Sequence, residues 1–170
     1  MVTERDMDAT HLLAQDHRKV EDLFEQFEKA GGDGRKEKLA RQICTELKVH
    51  SMIEEEIFYP ALRGKIDDDD LDEAYVEHDG AKLLINELEA GSPDGDEFYD
   101  AKVKVLQEQI EHHVEEEEKS RGNIFQQARA TDVDLEALGR QMAARKAELM
   151  RLAESEGLPR AEPATMTTEG

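Results

Sequence analysis

The chain has 170 residues, enough for one domain with a real core, and is 38% hydrophobic, 38% charged and 5% aromatic, with no Trp. Its formal net charge of −20 argues against nucleic acid, which needs a positive footprint, and against anionic membranes, while it can concentrate cations. One cysteine, Cys44, excludes a disulfide framework within the chain and fits a reducing compartment.

The first ten residues, MVTERDMDAT, have neither a basic start nor an apolar run, so no secretory signal is expected. No apolar stretch approaches the roughly 20 residues needed to span a bilayer, and the expected location is the cytoplasm. Three Asp- and Gly-rich breakers follow: GGDG at 31–34, RGKIDDDD at 63–70 and AGSPDGD at 90–96. Asp in these breakers is well placed to cap the next helix. Between them the apolar residues recur with a period near 3.6, which predicts helices over 8–30, 35–63, 70–90 and 95–129. A fifth, Ala-rich helix follows TDVD over 134–156, with Leu135, Leu138, Met142, Leu149 and Ala153 as its stripe. The tail GLPRAEPATMTTEG, residues 157–170, is expected to be disordered.

Short connections between long helices imply antiparallel neighbours. The expected fold is therefore all-α: an up-down-up-down four-helix bundle over 1–130, with a C-terminal helical extension over 131–156. The acidic runs Asp67–Asp70 and Glu115–Glu118 read mainly as solvated helix starts and faces, with one glutamate of the second run excepted.

Helix phase places polar groups where a core should be. On the second helix the apolar stripe is Leu39, Ile43, Leu47, Ile53, Ile57 and Ala61. At about 100° per residue, His50 and Glu54 fall at its centre, while Glu55 and Glu56 fall away. His17 is in phase with Leu13, Val20, Phe24 and Phe27 on the first helix. His78 is flanked by Leu71, Tyr75, Ala81, Ile85 and Leu88 on the third. On the fourth, Tyr99, Val103, Leu106 and Ile110 set the direction, and phase selects His113 with Glu117 over the adjacent His112 with Glu116.

Each of four helices thus aims one histidine at the bundle axis, and two helices add a glutamate. An unpaired buried carboxylate costs several kcal/mol, and two would also repel each other. Bound cations are the simplest compensation. Four imidazoles and two bridging carboxylates offer about eight bonds, against about twelve for two six-coordinate metals. The remainder leaves room for a bridging oxide or hydroxide and at least one open position. Imidazole and carboxylate without thiolate suit iron, manganese or zinc, and a two-metal cluster in a bundle favours iron or manganese. The ligand spacing is His-x-x-x-Glu, one helical turn, in place of the Glu-x-x-His of ferritin-like di-iron bundles.

The segments DHRKVEDLF, KVHSMIEEEIFYP, EHD and EHHVEEEE, in that order, resemble the hemerythrin-like HHE cation-binding domain family over about residues 8–130. The resemblance implies a non-haem centre of two Fe ions, bound by His17, His50, His78, His113, Glu54 and Glu117. It also implies a small ligand: dioxygen, nitric oxide or peroxide, bound for sensing, buffering or stress response. Alternatives are a di-iron enzyme that decomposes peroxide, with Lys82 or Tyr75 as partners, and iron storage. Two departures stand out. Oxygen-carrying hemerythrins have a further histidine four residues after the one on the third helix, where this chain has Lys82. After Glu117 related sequences continue to an aromatic–proline pair, whereas this chain reads EKSRGNIFQQAR, so Gly122 is expected to kink the fourth helix.

Beside the site, His11 and His112 are expected at the surface. Glu55 borders the ligands as a third carboxylate candidate or an exposed acid. Asp16 and Asp79 adjoin two of the histidines, from where a carboxylate can orient an imidazole. Tyr75 reads first as core packing, and Cys44 as a buried, inert thiol.

Overall fold

A computed structural model of the chain describes residues 8–167. Residues 1–7, most of the stretch screened for a secretory signal, and residues 168–170 lie outside the described part. Helix α1 spans Ala9–Lys29 and α2 spans Asp33–Ile53. A π-helical turn, Glu54–Phe58, then runs into the short α3, Tyr59–Leu62. Helix α4 covers Asp68–Ala90. Helix α5, Tyr99–Val114, continues through a second π turn, Glu115–Lys119. Helices α6, Ile124–Arg129, and α7, Leu135–Ser155, complete the described elements. Asp8, Asp67, Asn123 and Asp134 cap α1, α4, α6 and α7, each accepting a backbone N–H of the first turn.

Cross-helix contacts close a ring and set its directions. Lys19 pairs with Glu46 and Asp16 with His50, so α1 and α2 are antiparallel. Lys48 meets Glu89 and Glu55 meets His78, giving the same relation for α2 and α4. Lys102 lies by Glu87 and His113 by His78, and Glu28 and Glu21 of α1 face Lys104 and Lys119 of the last arm. The bundle is up-down-up-down, as expected, with α7 packed against α1 and α2.

The core has two halves. One is built on Leu13, Ile53, Phe58, Tyr59, Leu62, Leu71, Phe125, Met142 and Leu149. The other is built on Val20, Phe24, Phe27, Leu39, Ile43, Leu47, Ile85 and Leu106. The inward histidines and glutamates form a polar slab between them. Cys44 lies in the second half, where burial pushes its thiol up to about 12.

The expected fourth helix over 95–129 is broken. The π turn ends at Lys119, Gly122 takes φ 73°, and the chain restarts as α6. Gly122 is thus a full break instead of a kink. The break lets Phe125 return beneath His17, stacked at 5.9 Å with 3° between the rings. The tail, expected to be disordered, is described to residue 167. It lies along α4, where three polar side chains spaced by about one helical turn hold its backbone. Asn86 exchanges two hydrogen bonds with Ala161, and Lys82 Nζ donates to the Glu162 carbonyl at 3.0 Å. The Asp79 carboxylate accepts the backbone N–H groups of Ala164, Thr165 and Met166 and the Thr165 hydroxyl.

Met142 is fully buried between α7 and the bundle. Met142→Ala is predicted to destabilise the protein by about 2–5 kcal/mol in chemical denaturation. Gly122→Ala meets no atom within 4 Å, so its cost is backbone strain alone, predicted at about 1 kcal/mol or more. A neutral result at Gly122 would mean that the turn re-forms without its left-handed residue.

Candidate metal centre

The two π turns define the site. Each follows an inward histidine: His50 precedes Glu54–Phe58, and His113 precedes Glu115–Lys119. Each turn is closed by an i→i+5 hydrogen bond, Tyr59 N–H to the Glu54 carbonyl and Ser120 N–H to the Glu115 carbonyl. A π turn adds one residue to the helix, widens it locally and rotates everything beyond by roughly one α-helical step. In α2 this moves the inward face from Ile57 and Ala61, both only half-buried, to Phe58, Tyr59 and Leu62, all fully buried.

All six expected residues converge in the polar slab. Glu54 and Glu117 are fully buried, and His17, His50, His78 and His113 are 4–5% exposed. Their Nε2 atoms face inward in two pairs, His17 with His50 and His78 with His113, the ring centroids 5.0 and 4.8 Å apart. The glutamates lie between the pairs. Glu117 Oε1 faces His17 and His50 at 3.2 and 4.0 Å, and its Oε2 faces His113 at 3.1 Å. Glu54 Oε1 lies 2.8 Å from His50, 3.2 Å from His78 and 3.7 Å from His113. Donor atoms of His50, Glu54, His113 and Glu117 all fall within 4.8 Å of one another.

Many of these atoms are close without being aligned for hydrogen bonding. Among the described residues, buried His17 Nε2, His50 Nε2, both Glu54 oxygens and Glu117 Oε1 have no hydrogen-bond partner. Burial pulls the His50 imidazole down, yet the Glu54 and Asp16 carboxylates outweigh it and raise it to about 10. Burial likewise lowers His78 and His113, and their carboxylate neighbours reverse the shift, Glu54 first for His78 and Glu117 first for His113. The slab therefore favours positive charge beside its carboxylates, and the His50 imidazole holds the Glu54 carboxyl well below its usual range against the cost of burial. Convergent donors with orphaned lone pairs, supplied by imidazoles and carboxylates without thiolate, fit hard or borderline cations.

An outer set of carboxylates fixes each ring through its Nδ1 atom. His17 donates to Glu118 at 2.9 Å, His50 to Asp16 at 3.0 Å, His78 to Glu55 at 2.8 Å and His113 to Glu77 at 3.3 Å. Such bonds hold the tautomer that directs Nε2 at a cation. Asp16 thus orients an imidazole. Asp79 does not; it binds the tail. Glu55 touches His78 from behind, away from the slab, and Glu77 was not singled out by sequence at all. A second His/Glu group, Glu77, His112 and Glu116, lies towards solvent and touches the first through Glu77. His11 is exposed as expected.

Sequence reasoning missed Tyr59. Its hydroxyl donates to Glu117 Oε2 at 2.6 Å and lies 3.5 Å from both His78 Nε2 and His113 Nε2. The FYP ending of its segment was the available signal, but straight helix phase turned it away from the core. Tyr75 packs edge-on behind it, ring centroids 5.4 Å apart. Lys82 is drawn away from the slab by Glu55, Asp79 and the tail, and gives the centre no fifth nitrogen. Beside the histidines, opposite Tyr59, is a cavity of about 20 Å³ walled by Val20, Leu47, Ala81, Ile85 and Ile110.

A closed bundle with a His/Glu centre between two apolar halves defines a cation-binding helical protein. The chain matches the hemerythrin HHE cation binding domain over residues 8–121 and belongs to that family. A crystal structure of a hemerythrin HHE cation binding domain-containing protein from Mycobacterium kansasii shares its fold. The TM-score is 0.72 at 23% identity, over 89% of this chain and 94% of that one. A DNA nickase of a Nostoc species is 31% identical over 117 residues, 69% of this chain and 33% of the nickase. The chain therefore spans a third of the length of that curated relative. No helix among the described residues is long and apolar enough to cross a membrane.

Tyr59→Phe is predicted to destabilise the metal-free protein by about 1–3 kcal/mol, because the buried Glu117 carboxylate loses its hydroxyl donor. Denaturation in the presence of a chelator measures this, and an unchanged midpoint would exclude a stabilising role for that bond.

Proposed function

We propose that the slab holds two iron ions and that the protein binds a small oxidant or gas, dioxygen, nitric oxide or peroxide, for sensing, buffering or stress response. The carrying observation is the paired arrangement. Two imidazole pairs flank two buried carboxylates, and the two oxygens of Glu117 face opposite pairs. His17 and His50 would hold one ion and His78 and His113 the other, with Glu54 and Glu117 shared. Iron in such a site supplies redox chemistry and a binding position for a small oxygen or nitrogen ligand.

The chain's own residues limit what can reach that position. The 20 Å³ cavity has room for about one water-sized molecule. Apart from the imidazoles and their carboxylates its walls are Val20, Leu47, Ala81, Ile85 and Ile110 with Ser51 and Gln109, and its size suits a diatomic gas or peroxide and excludes larger substrates. The outer carboxylates hold the rings, so only the small ligand needs to move.

A peroxide-decomposing activity is the second reading, favoured by Tyr59. Its hydroxyl hydrogen-bonds Glu117 and lies within 3.5 Å of two ligand nitrogens. It is the phenol placed to hold or pass a proton at the centre, a role that Tyr75 and Lys82 are too far aside to fill.

The nickase relative carries its name over a protein three times as long as the matched region. The formal charge of −20 works against a phosphate backbone here, and we assign this chain no nucleic-acid contact.

The test is metal content and the absorption spectrum of protein from iron-supplied cells, before and after peroxide. Two irons per chain are expected, with His50→Ala and Glu54→Ala each losing at least half. Oxygen evolution through many turnovers would favour the enzyme, and a stoichiometric, saturable spectral change the binding protein. A folded chain that takes up no iron would overturn both readings.

A further inference from the structure

Each inward imidazole rests on a carboxylate, and three of those carboxylates carry a cation on their far side. Arg18 holds Glu118 at 2.7 Å, Lys82 holds Glu55 at 3.0 Å, and Lys146 holds Asp16. The first two cations stand on α1 and α4, within the bundle. Lys146 stands on α7, beyond the residues 8–121 that match the family. Asp16 is 4% exposed, so water cannot readily take the lysine's place. One Asp16 oxygen accepts His50 Nδ1 at 3.0 Å and the other accepts Lys146 Nζ. Met142 and Leu149 fix the same face of α7 to the bundle, and Arg145 on the adjoining position grips Glu56 through two nitrogens at 2.9 and 3.2 Å.

We propose that Lys146 is a positioning residue of the metal centre: acting through Asp16, it sets how strongly His50 donates to the bound ion. The C-terminal extension is then part of the site. The metal half of this proposal rests on the di-iron reading. A carboxylate shared between an ammonium and an imidazole N–H pulls less on the ring proton than one without the ammonium. Removing the ammonium strengthens the Asp16–His50 hydrogen bond, makes Nε2 a stronger donor and favours the more oxidised state of iron bound there.

The experiment compares Lys146→Met and Lys146→Arg with Arg145→Met, which cuts the neighbouring ion pair of α7 and controls for loss of docking. The first readout is the ¹H–¹⁵N spectrum of the His50 ring in metal-free protein. The Nδ1 proton is expected to move downfield in Lys146→Met, and to stay near its wild-type position in Lys146→Arg and Arg145→Met. The second is the midpoint potential of the iron-loaded protein, expected to become more negative in Lys146→Met alone. Unmoved His50 resonances in a folded Lys146→Met protein overturn the proposal, as does an equal shift in Arg145→Met. Should Lys146→Met not fold, Asp16→Asn decides: an upfield move of the Nδ1 proton supports the relay, and no move overturns it. A wild-type protein that takes up no iron sinks the di-iron reading, and the metal-free spectra still decide the role of Lys146.

Discussion

Two glutamates with no exposed surface govern this structure. Glu54 and Glu117 lie at the mid-height of a helical bundle, between two apolar half-cores. Left alone, each would cost several kcal/mol of desolvation. Everything around them answers that constraint. Four imidazoles from four helices face the carboxylates, and four outer carboxylates hold those imidazoles. Three of the outer carboxylates in turn bind cations. Charge alternates outward in shells, so each buried group finds an opposite neighbour, and the orphaned atoms at the centre mark where positive charge is still wanted.

This arrangement relates packing to chemistry. A bundle with a continuous apolar core could slide its helices past one another by a turn. Here a one-turn shift would break the imidazole pairs on both sides, so the polar slab also sets the register of the helices. The apolar halves keep water away, which strengthens each charge interaction between them. The same packing leaves beside the histidines a free volume of about 20 Å³, that of a water-sized guest.

Much of this was legible in the sequence, because an amphipathic helix makes buried polar residues conspicuous. His17, His50, His78 and His113 and the two glutamates each break an otherwise apolar stripe at a fixed period. What the period could not carry was a change of period. The π turn after Ile53 moves Tyr59 inward and Ile57 partly outward, and straight extrapolation at 100° per residue inverted both. Glu77 and Glu118 were hidden for another reason, and Glu55 was legible only as a ligand candidate or an exposed acid: all three lie on boundary faces, where an acidic residue is ordinary, and their roles exist only across helix pairs. The path of the tail was not legible either, because its apolar residues, among them Leu158, Ala161 and Met166, follow no helical or strand period. That path follows hydrogen bonds offered by Asp79, Lys82 and Asn86, partners that the tail's own composition cannot reveal.

The grip on that tail is made almost wholly through main-chain atoms. Asp79 takes three consecutive backbone N–H groups, Asn86 pairs with the amide of Ala161, and Lys82 meets a carbonyl. Such a clasp reads spacing and leaves residue identity nearly free. Substitutions at Ala164 or Met166 should drift without consequence, proline excepted for want of an N–H. Insertions or deletions between α7 and Ala161 should not drift, since they would carry the amides off the carboxylate. In this segment the fold constrains length and leaves most side chains open for other uses.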